Sequence, residues 1–194
     1  MAEYYYTNNP TSEHEERHFT SVFMGRTLAF ETDAGVFSKQ HIDPGSEILC
    51  KSLPELHGRV LDMGCWGAMT VMALARFPAL DVTMADVNER ALDLAVRNVQ
   101  KNGMQAKAVL SDGFERVEGE FDAVITNPPI RAGKAVIYQM FADAKAHLAD
   151  GGILVLVIRK QQGAPSALKF LKELYAEAET IERDGGYWVI ACRK

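Results

Sequence analysis

The segment Val60–Ala75, VLDMGCWGAMTVMALA, decides the fold. Its apolar start is typical of a buried strand, and Asp62 and Gly64 follow where such a strand would end. After Gly67, methionine, alanine and leucine residues recur with helical spacing. The segment therefore predicts a strand, a glycine-containing loop and a helix, the first half of a βαβ unit. In sheets built from such units, ligands bind beyond the carboxyl ends of the strands, where helix N–H groups are exposed.

The rest of the chain repeats this alternation of strand and helix. Further strands are predicted at 80–85, 106–110, 121–126 and 153–158. Helices are predicted at 88–102, 134–148 and 165–175, with the Asp150-Gly151-Gly152 stretch ending the second of them. Segments 178–183 and 187–192 flank Asp184-Gly185-Gly186, which predicts a hairpin. The pattern indicates an α/β fold with a doubly wound, mostly parallel, seven-stranded Rossmann-like sheet and an antiparallel C-terminal hairpin.

The N-terminal part is predicted to form a small β-hairpin and one helix. Segments 21–24 and 27–32 are β-prone and lie on either side of Gly25-Arg26. Asp43 is placed to cap a helix over 46–53, with Pro44 at its first position. We therefore expect an N-terminal extension at 1–53 packed on a core domain at 54–194.

Composition limits the class of protein. The chain has 194 residues, 47% hydrophobic and 24% charged, which suits one globular domain. It has no apolar run near the ~20 residues that span a bilayer, and its start lacks a signal-peptide pattern, so we expect a cytoplasmic protein without membrane contact. Three cysteines without paired spacing predict buried thiols and no metal site. A net charge of −5 argues against a surface that coats nucleic acid, but not against a local basic mouth.

Polar residues stand at the predicted carboxyl ends of four successive strands. They are Asp62 with Gly64, then Asp86, Asp112 and the Asn127-Pro128-Pro129 loop. Asp86 follows Gly64 at about the spacing at which a carboxylate accepts hydrogen bonds from ribose hydroxyls. Asp112 is placed to accept from an adenine amino group, with Phe114 against the ring. Together they predict an adenosine site, and its carboxylates favour a positively charged ligand over a pyrophosphate.

These motifs resemble those of class I S-adenosylmethionine-dependent methyltransferases. The resemblance rests on VLDMGC, the strand-end Asp86, SDGF at 111–114 and NPPI at 127–130. More narrowly, GVFS at 35–38, DPGS at 43–46, NPPIRAGK at 127–134 and DGGYWVI at 184–190 resemble the small-methyltransferase family. That family includes the ribosomal small-subunit RNA guanine-N2 methyltransferases and single-domain relatives. The similarity extends from about Tyr4 to the end of the chain.

The resemblance implies a site for S-adenosyl-L-methionine and a separate substrate region. Its cofactor-binding residues would be Asp62, Gly64, Cys65, Gly67, Asp86, Val87, Asp112, Gly113, Phe114 and Asn127. Its catalytic residues would be Asn127, Pro128 and Pro129, and its substrate-binding residues Phe37, Lys39, Ile130, Arg131 and Lys134. Basic residues expected near the mouth are Lys39, Arg131, Lys134, Arg159 and Lys160. The implied partner is ribosomal RNA or an assembling small ribosomal subunit, and the oligomeric state stays open.

The asparagine-proline-proline loop implies methylation of a planar amino nitrogen. By the resemblance, the Asn127 side-chain oxygen and the Pro128 carbonyl accept the two amino hydrogens and orient the nitrogen toward the methyl group. Pro129 stiffens the loop. Many amino-methylating relatives have an aromatic residue next, whereas this chain has Ile130. That difference weakens the case for adenine and leaves stacking on the base to another group, such as Phe37.

The glycine loop departs from the family pattern of Gly-x-Gly-x-Gly. Trp66 stands at the second glycine position and Ala68 at the third. If the backbone needs a positive φ there, an indole costs about 1–3 kcal/mol of strain or obstructs the cofactor. Alternatively the loop shifts, Gly67 takes the glycine role, and Trp66 turns outward or into a hydrophobic gap. We favour the second alternative.

Three functions follow from these patterns. The first is an S-adenosylmethionine-dependent N-methyltransferase acting on the exocyclic N2 amino group of a guanine in ribosomal RNA. The second is a methyltransferase-like scaffold that binds RNA or protein and whose cofactor site is impaired by Trp66. The third, a nicotinamide-dependent oxidoreductase, is disfavoured because Gly-x-Gly-x-x-Gly is absent and the NPPI loop has no role in that chemistry.

Overall fold

A computed structural model describes residues 15–33 and 41–194. In these ranges a two-stranded antiparallel hairpin precedes a seven-stranded sheet with the strand order β5-β4-β3-β6-β7-β9-β8. The hairpin strands are β1 (Arg17–Phe23) and β2 (Arg26–Thr32). The sheet strands are β3 (Arg59–Met63), β4 (Asp81–Asp86), β5 (Lys107–Leu110), β6 (Phe121–Thr126), β7 (Leu148–Arg159), β8 (Glu177–Asp184) and β9 (Tyr187–Arg193).

Strands β3 to β7 pair in parallel, and β9 runs antiparallel to both β7 and β8. The predicted fold class is therefore confirmed, including the closing hairpin and the small N-terminal hairpin. The helices are α1 (Pro44–Ser52), α2 (Ala68–Arg76), α3 (Glu89–Lys101), α4 (Lys134–Ala146) and α5 (Ala164–Leu174).

The sheet separates two buried apolar clusters. Alternate side chains of a strand point to opposite faces, so Val60 joins one cluster and Leu61 the other. The first cluster contains side chains of the hairpin and of α1, α2 and α3, and the second contains those of α4 and α5. The hairpin and α1 thus share a core with the sheet, while the division of the chain at residue 53 stays a prediction.

Helix starts follow the capping residues that the sequence indicated. The Asp43 side chain accepts a hydrogen bond from the Ser46 backbone N–H at 3.0 Å, with Pro44 in the first turn of α1. Asn88 caps α3 in the same way through Ala91 at 3.3 Å. Because both caps stand just after loops at the carboxyl end of the sheet, they also bring polar groups there.

Two details of the prediction were wrong. The hairpin turns at Met24-Gly25, with Phe23 opposite Arg26, because both central residues adopt the positive φ that this two-residue turn requires. Helix α4 ends at Ala146, before the predicted stop at Asp150-Gly151-Gly152. Those residues instead form an irregularity inside β7, whose first residue, Leu148, is fully buried and pairs with Phe121.

All three cysteines are free and buried, as predicted. Among the helices of the described ranges, none is long and apolar enough to cross a membrane.

Candidate active site

Hydrogen bonds join the carboxyl ends of neighbouring strands. The Gly64 N–H donates to the Ala85 carbonyl at 2.8 Å, and the Ser111 N–H donates to the Asp86 carbonyl at 3.0 Å. The buried Thr126 hydroxyl donates to the Met63 carbonyl at 2.9 Å. These bonds hold the loops after β3, β4, β5 and β6 at one edge of the sheet.

A cavity of about 1340 Å³ opens at this edge. The predicted site residues that line it are Asp62, Gly64, Cys65, Asp86, Val87, Asp112, Gly113, Phe114, Asn127, Pro128, Pro129, Ile130 and Arg131. The four strand-end motifs therefore meet in one cavity. Phe37 and Lys39 lie outside the described residues.

Two predicted residues do not line this cavity. Gly67 packs against α3, as described below, and Lys134 is exposed, with its ammonium 5.0 Å from the centre of the Tyr138 ring. Lys160 is likewise exposed and not part of the lining.

Several lining residues were not predicted to be in the site. Asp43, Ser46, Gln162 and Tyr187 line the cavity together with Arg159, which the sequence placed only near its mouth. The DPGS motif was a usable signal for Asp43 and Ser46, but its capping role alone accounts for those residue types. Tyr187 belongs to the DGGYWVI motif, which indicated a hairpin and not a ligand contact.

Asp62 is a buried carboxylate with one unpaired oxygen. Its Oδ2 accepts from the Thr70 hydroxyl at 2.7 Å and from the Thr70 N–H at 3.1 Å. Its Oδ1 is buried and has no hydrogen-bond partner among the described residues. Burial raises the pKa of Asp62 to about 7, against the lowering effect of the Thr70 hydrogen bonds. A buried polar atom without a partner is costly, so this oxygen is suited to a donor or a cation in the cavity.

Asp86 is a second carboxylate of the cavity and is half-buried. Its Oδ1 accepts from the Asn88 N–H at 2.7 Å. Burial raises the pKa of Asp86 to about 7, and the negative charge of Asp62 adds to the increase. A buried and a half-buried carboxylate at neighbouring strand ends thus favour a positively charged ligand.

In the glycine loop, the left-handed backbone lies at Gly67 and not at Trp66. Gly67 has φ 92° and precedes α2, and among the described non-glycine residues only Met24 has a positive φ. Trp66 is buried and packs edge-on against Phe30 with ring centres 6.0 Å apart. The Asn98 Nδ2 donates a hydrogen bond to the Trp66 carbonyl at 3.1 Å. Trp66 therefore packs against the hairpin while also lining the cavity, and its φ is not positive.

Gly67→Ala is expected to lower the free energy of unfolding by about 2–4 kcal/mol. An added Cβ would lie 2.8 Å from the Ala95 Cα, in addition to the strain of φ 92°. Denaturant unfolding measures this loss. Gly103→Ala is the matched control, since its φ is 69° and an added Cβ meets nothing within 4 Å. Equal losses in the two variants would show that the α3 contact does not matter.

Gly64 provides open backbone at the cavity. It has φ 77°, and a Cβ at this position would find no atom within 4 Å. The space beside it therefore admits a ligand directly against the chain.

The Asn127 loop is held from the side of α1. The Asn127 Nδ2 donates to Asp43 Oδ2 at 3.0 Å and to Ser46 Oγ at 3.0 Å. Asn127 lines the cavity, and no described residue donates to its amide oxygen. Pro128 is buried, and a single 3₁₀ turn, Ile130–Ala132, leads into α4.

The guanidinium of Arg159, which also lines the cavity, is held by Tyr187. Arg159 donates to the Tyr187 hydroxyl at 2.6 Å, and its guanidinium carbon lies 4.5 Å from the centre of the Tyr187 ring. Stacking combined with a hydrogen bond restricts the guanidinium and leaves further N–H groups for a ligand.

The comparisons with known proteins agree with this geometry. The family model for the methyltransferase small domain matches residues 27–191. Protein YbxB of Bacillus subtilis is 38% identical over 200 aligned positions that cover both chains in full. Ribosomal RNA small subunit methyltransferase C of Shewanella denitrificans is 35% identical over 165 positions, which cover 82% of this chain and 47% of that protein. The chain thus spans about half the length of such methyltransferases.

Solved structures show the same fold. The T. thermophilus 16S rRNA N2 G1207 methyltransferase (RsmC), in complex with AdoMet and guanosine, superposes with a TM-score of 0.82 at 26% identity. It is matched by 96% of this chain over 52% of its own length. A methyltransferase from Pyrococcus furiosus gives a TM-score of 0.66 at 24% identity, covering 76% of this chain and 80% of that one. With its family model matched over most of its length, this chain belongs to the methyltransferase small domain family.

Proposed function

We propose that this protein is an S-adenosyl-L-methionine-dependent N-methyltransferase that modifies the exocyclic N2 amino group of a guanine in ribosomal RNA. The observation that carries the proposal is the placement of Asn127 and Pro128 in the same cavity as two carboxylates, the buried Asp62 and the half-buried Asp86. One end of the cavity is suited to a cationic nucleoside, and the other to a planar amine.

The cofactor fits the carboxylate end. Asp62 supplies a buried oxygen without a partner, Asp86 supplies an acceptor for ribose hydroxyls, and Gly64 leaves its backbone open. When bound, S-adenosyl-L-methionine supplies a methyl group activated by a positively charged sulfur. Family membership and the AdoMet complex of the T. thermophilus relative support this cofactor.

The acceptor end fits an amino group conjugated to a ring. The nitrogen lone pair of such an amine is delocalised, so the amine must be oriented to react. The Asn127 amide oxygen and the Pro128 carbonyl would accept its two hydrogens and direct the lone pair along one line. Because the proton becomes acidic only as nitrogen forms its fourth bond, these neutral oxygens are sufficient and no strong base is needed.

Guanine is the base that the cavity wall matches best. Guanine carries an N1–H donor beside its amino group and an O6 acceptor beyond it, whereas adenine carries an acceptor at N1. The wall next to Asn127 carries a carboxylate, Asp43, and a guanidinium, Arg159. These groups complement N1–H and O6, and the similarity to the T. thermophilus 16S rRNA N2 G1207 methyltransferase supports the same base.

Arg159→Met is expected to raise the KM for RNA roughly tenfold with a smaller change in kcat, because a charge-assisted contact to the substrate is lost. Steady-state kinetics at several RNA concentrations measure the two constants. Lys160→Met is the matched control, since Lys160 is exposed and does not line the cavity. Equal effects of the two substitutions would remove Arg159 from the substrate site.

The test of the function uses tritiated S-adenosyl-L-methionine. Purified protein is incubated with small ribosomal subunits, and separately with naked ribosomal RNA, from cells in which this gene is deleted. Digestion to nucleosides and chromatography are expected to place the label in N2-methylguanosine. Label in N6-methyladenosine would overturn the choice of base.

Absence of S-adenosyl-L-methionine binding would overturn the proposal that this protein is a methyltransferase. A calorimetric titration is expected to show micromolar affinity for S-adenosyl-L-methionine. If no binding occurs up to millimolar ligand, the chain acts as a scaffold.

A further inference from the structure

The loop Asn127-Pro128-Pro129 is hydrogen-bonded to the first turn of α1. Both hydrogens of the Asn127 amide nitrogen are directed at this turn, one at Asp43 Oδ2 and one at Ser46 Oγ, each at 3.0 Å. The same Asp43 oxygen caps the helix by accepting from the Ser46 N–H. Ser46 is buried, so its bond to Asn127 is shielded from water.

The carboxylate decides which way the amide faces. The oxygen and nitrogen branches of an asparagine amide have nearly the same shape, so packing alone does not distinguish them. An ionised carboxylate only accepts hydrogen bonds, and it would repel the amide oxygen. The nitrogen of Asn127 must therefore face Asp43, which leaves the oxygen for the cavity.

The first turn of α1 is itself fixed between the catalytic loop and β9. A Cβ added at Gly45 would lie 2.6 Å from the Tyr187 Cε1 atom and 2.9 Å from Asp43 Oδ2. Tyr187 in turn holds Arg159. The turn therefore has little room to move away from Asn127.

We propose that Asp43 and Ser46 are positioning residues that fix the orientation of the Asn127 amide. This inference rests on the proposed function. With the amide fixed, the reacting end of the cavity presents two acceptors, the Asn127 oxygen and the Pro128 carbonyl. It therefore selects substrates that offer N–H donors, the exocyclic amines, and rejects ring carbonyl oxygens at the reacting position.

Asp43→Asn tests this role, because a single oxygen of Asp43 accepts from both the Ser46 N–H and the Asn127 amide. If the new amide keeps its oxygen there, Asn127 loses the charge of its acceptor. If it turns its nitrogen there, the cap is lost and the flipped orientation of Asn127, in which an NH₂ group faces the substrate, is stabilised. The kcat for ribosomal RNA is expected to fall about tenfold and the KM to rise, since Asp43 is also the proposed acceptor for guanine N1–H, while the cofactor Kd stays within twofold. Ser46→Ala, which removes one bond but keeps the carboxylate, is expected to lower kcat about threefold.

Asp122→Asn is the matched control. Asp122 also accepts a backbone N–H, that of Arg59 at 2.7 Å, but it lies near the start of β6, at the other end of the sheet. It is expected to leave kcat unchanged. Wild-type kcat in Asp43→Asn, or an equal loss in Asp122→Asn, would overturn the proposal.

A second readout does not depend on activity. In ¹⁵N-labelled protein, the Asn127 side-chain amide signals are identified by their absence from Asn127→Asp. Their protons are expected to exchange slowly with water in the wild type and at least tenfold faster in Asp43→Asn. Unchanged exchange would overturn the positioning role. If the wild type methylates no ribosomal RNA, the proposed function fails, and this measurement still decides the orientation of the amide.

Discussion

Asn127→Ala is expected to lower kcat for methyl transfer by about 10²- to 10³-fold, the usual cost of losing a group that stabilises the transition state. The affinity for S-adenosyl-L-methionine should change by no more than about twofold, because the carboxylates of Asp62 and Asp86 are untouched. Alanine keeps Pro128 but removes the oxygen that orients the amine, together with the two hydrogen bonds from Nδ2 to Asp43 and Ser46. Single-turnover assays with tritiated cofactor measure the rate, and calorimetry measures the affinity.

Asn102→Ala is the control for Asn127→Ala. The Asn102 side chain bonds to Ala29 in the hairpin at 2.7 Å and 3.0 Å, away from the cavity. Its loss is expected to reduce stability by about 1 kcal/mol without slowing methyl transfer. If Asn127→Ala retained the wild-type kcat, the acceptor role would be wrong. If it instead abolished cofactor binding, Asn127 would belong to the cofactor site alone.

The sequence predicted the elements that depend on local patterns. Asp43 and Asn88 act as caps because short polar side chains before a helix satisfy its free N–H groups. Strand β6 has the predicted bounds because its apolar run ends directly in Asn127-Pro128. The convergence of Asp62, Asp86 and Asn127 was predictable too, since parallel strands end at one edge of a sheet.

Contacts between distant segments were not predictable in the same way. The bond between Asn127 and Asp43 joins residues 84 positions apart, and nothing in either motif indicates the other. Trp66 was ambiguous from its neighbours, because the gap that accepts it is formed by Phe30 of the hairpin. The early start of β7 was not predicted, because Asp150-Gly151-Gly152 indicated the end of a helix. The strand begins before these residues, where Leu148 pairs with Phe121, a residue 27 positions earlier in the chain.

Cofactor affinity is expected to rise as pH increases from 6 to 8, by roughly tenfold for each carboxylate that must ionise. In the protein without ligand, burial raises the pKa of Asp62 and of Asp86 to about 7, so both are largely protonated at pH 6. A cationic ligand with hydroxyl donors favours the ionised forms, and its binding therefore lowers both pKa values and releases protons. Calorimetry in buffers of different ionisation enthalpy measures the protons released.

The raised pKa values of Asp62 and Asp86 also determine how the free energy of unfolding changes with pH. Without cofactor, the native state keeps protons that the unfolded chain, with an ordinary aspartate pKa of about 3.9, has already lost. These two groups therefore lower the free energy of unfolding as pH rises from about 4 to 7. The cofactor offsets this loss, so the gain in melting temperature on adding it should be larger at pH 8 than at pH 6.

Asp86→Asn separates the ionisation of Asp86 from the ionisation of the ligand, because the ligand ionises in the same way with the wild type and with the variant. Without the carboxylate, affinity is expected to be about 10- to 100-fold weaker than wild type at pH 8 and much closer to wild type at pH 6. Asp81→Asn, an exposed position at the other end of β4, should keep the wild-type pH dependence. A pH dependence of affinity that is identical in Asp86→Asn and wild type would show that Asp86 does not contact the bound ligand. The pair at 62 and 86 would then be a structural feature of the sheet edge, and the cationic ligand would have to be held by other groups of the cavity.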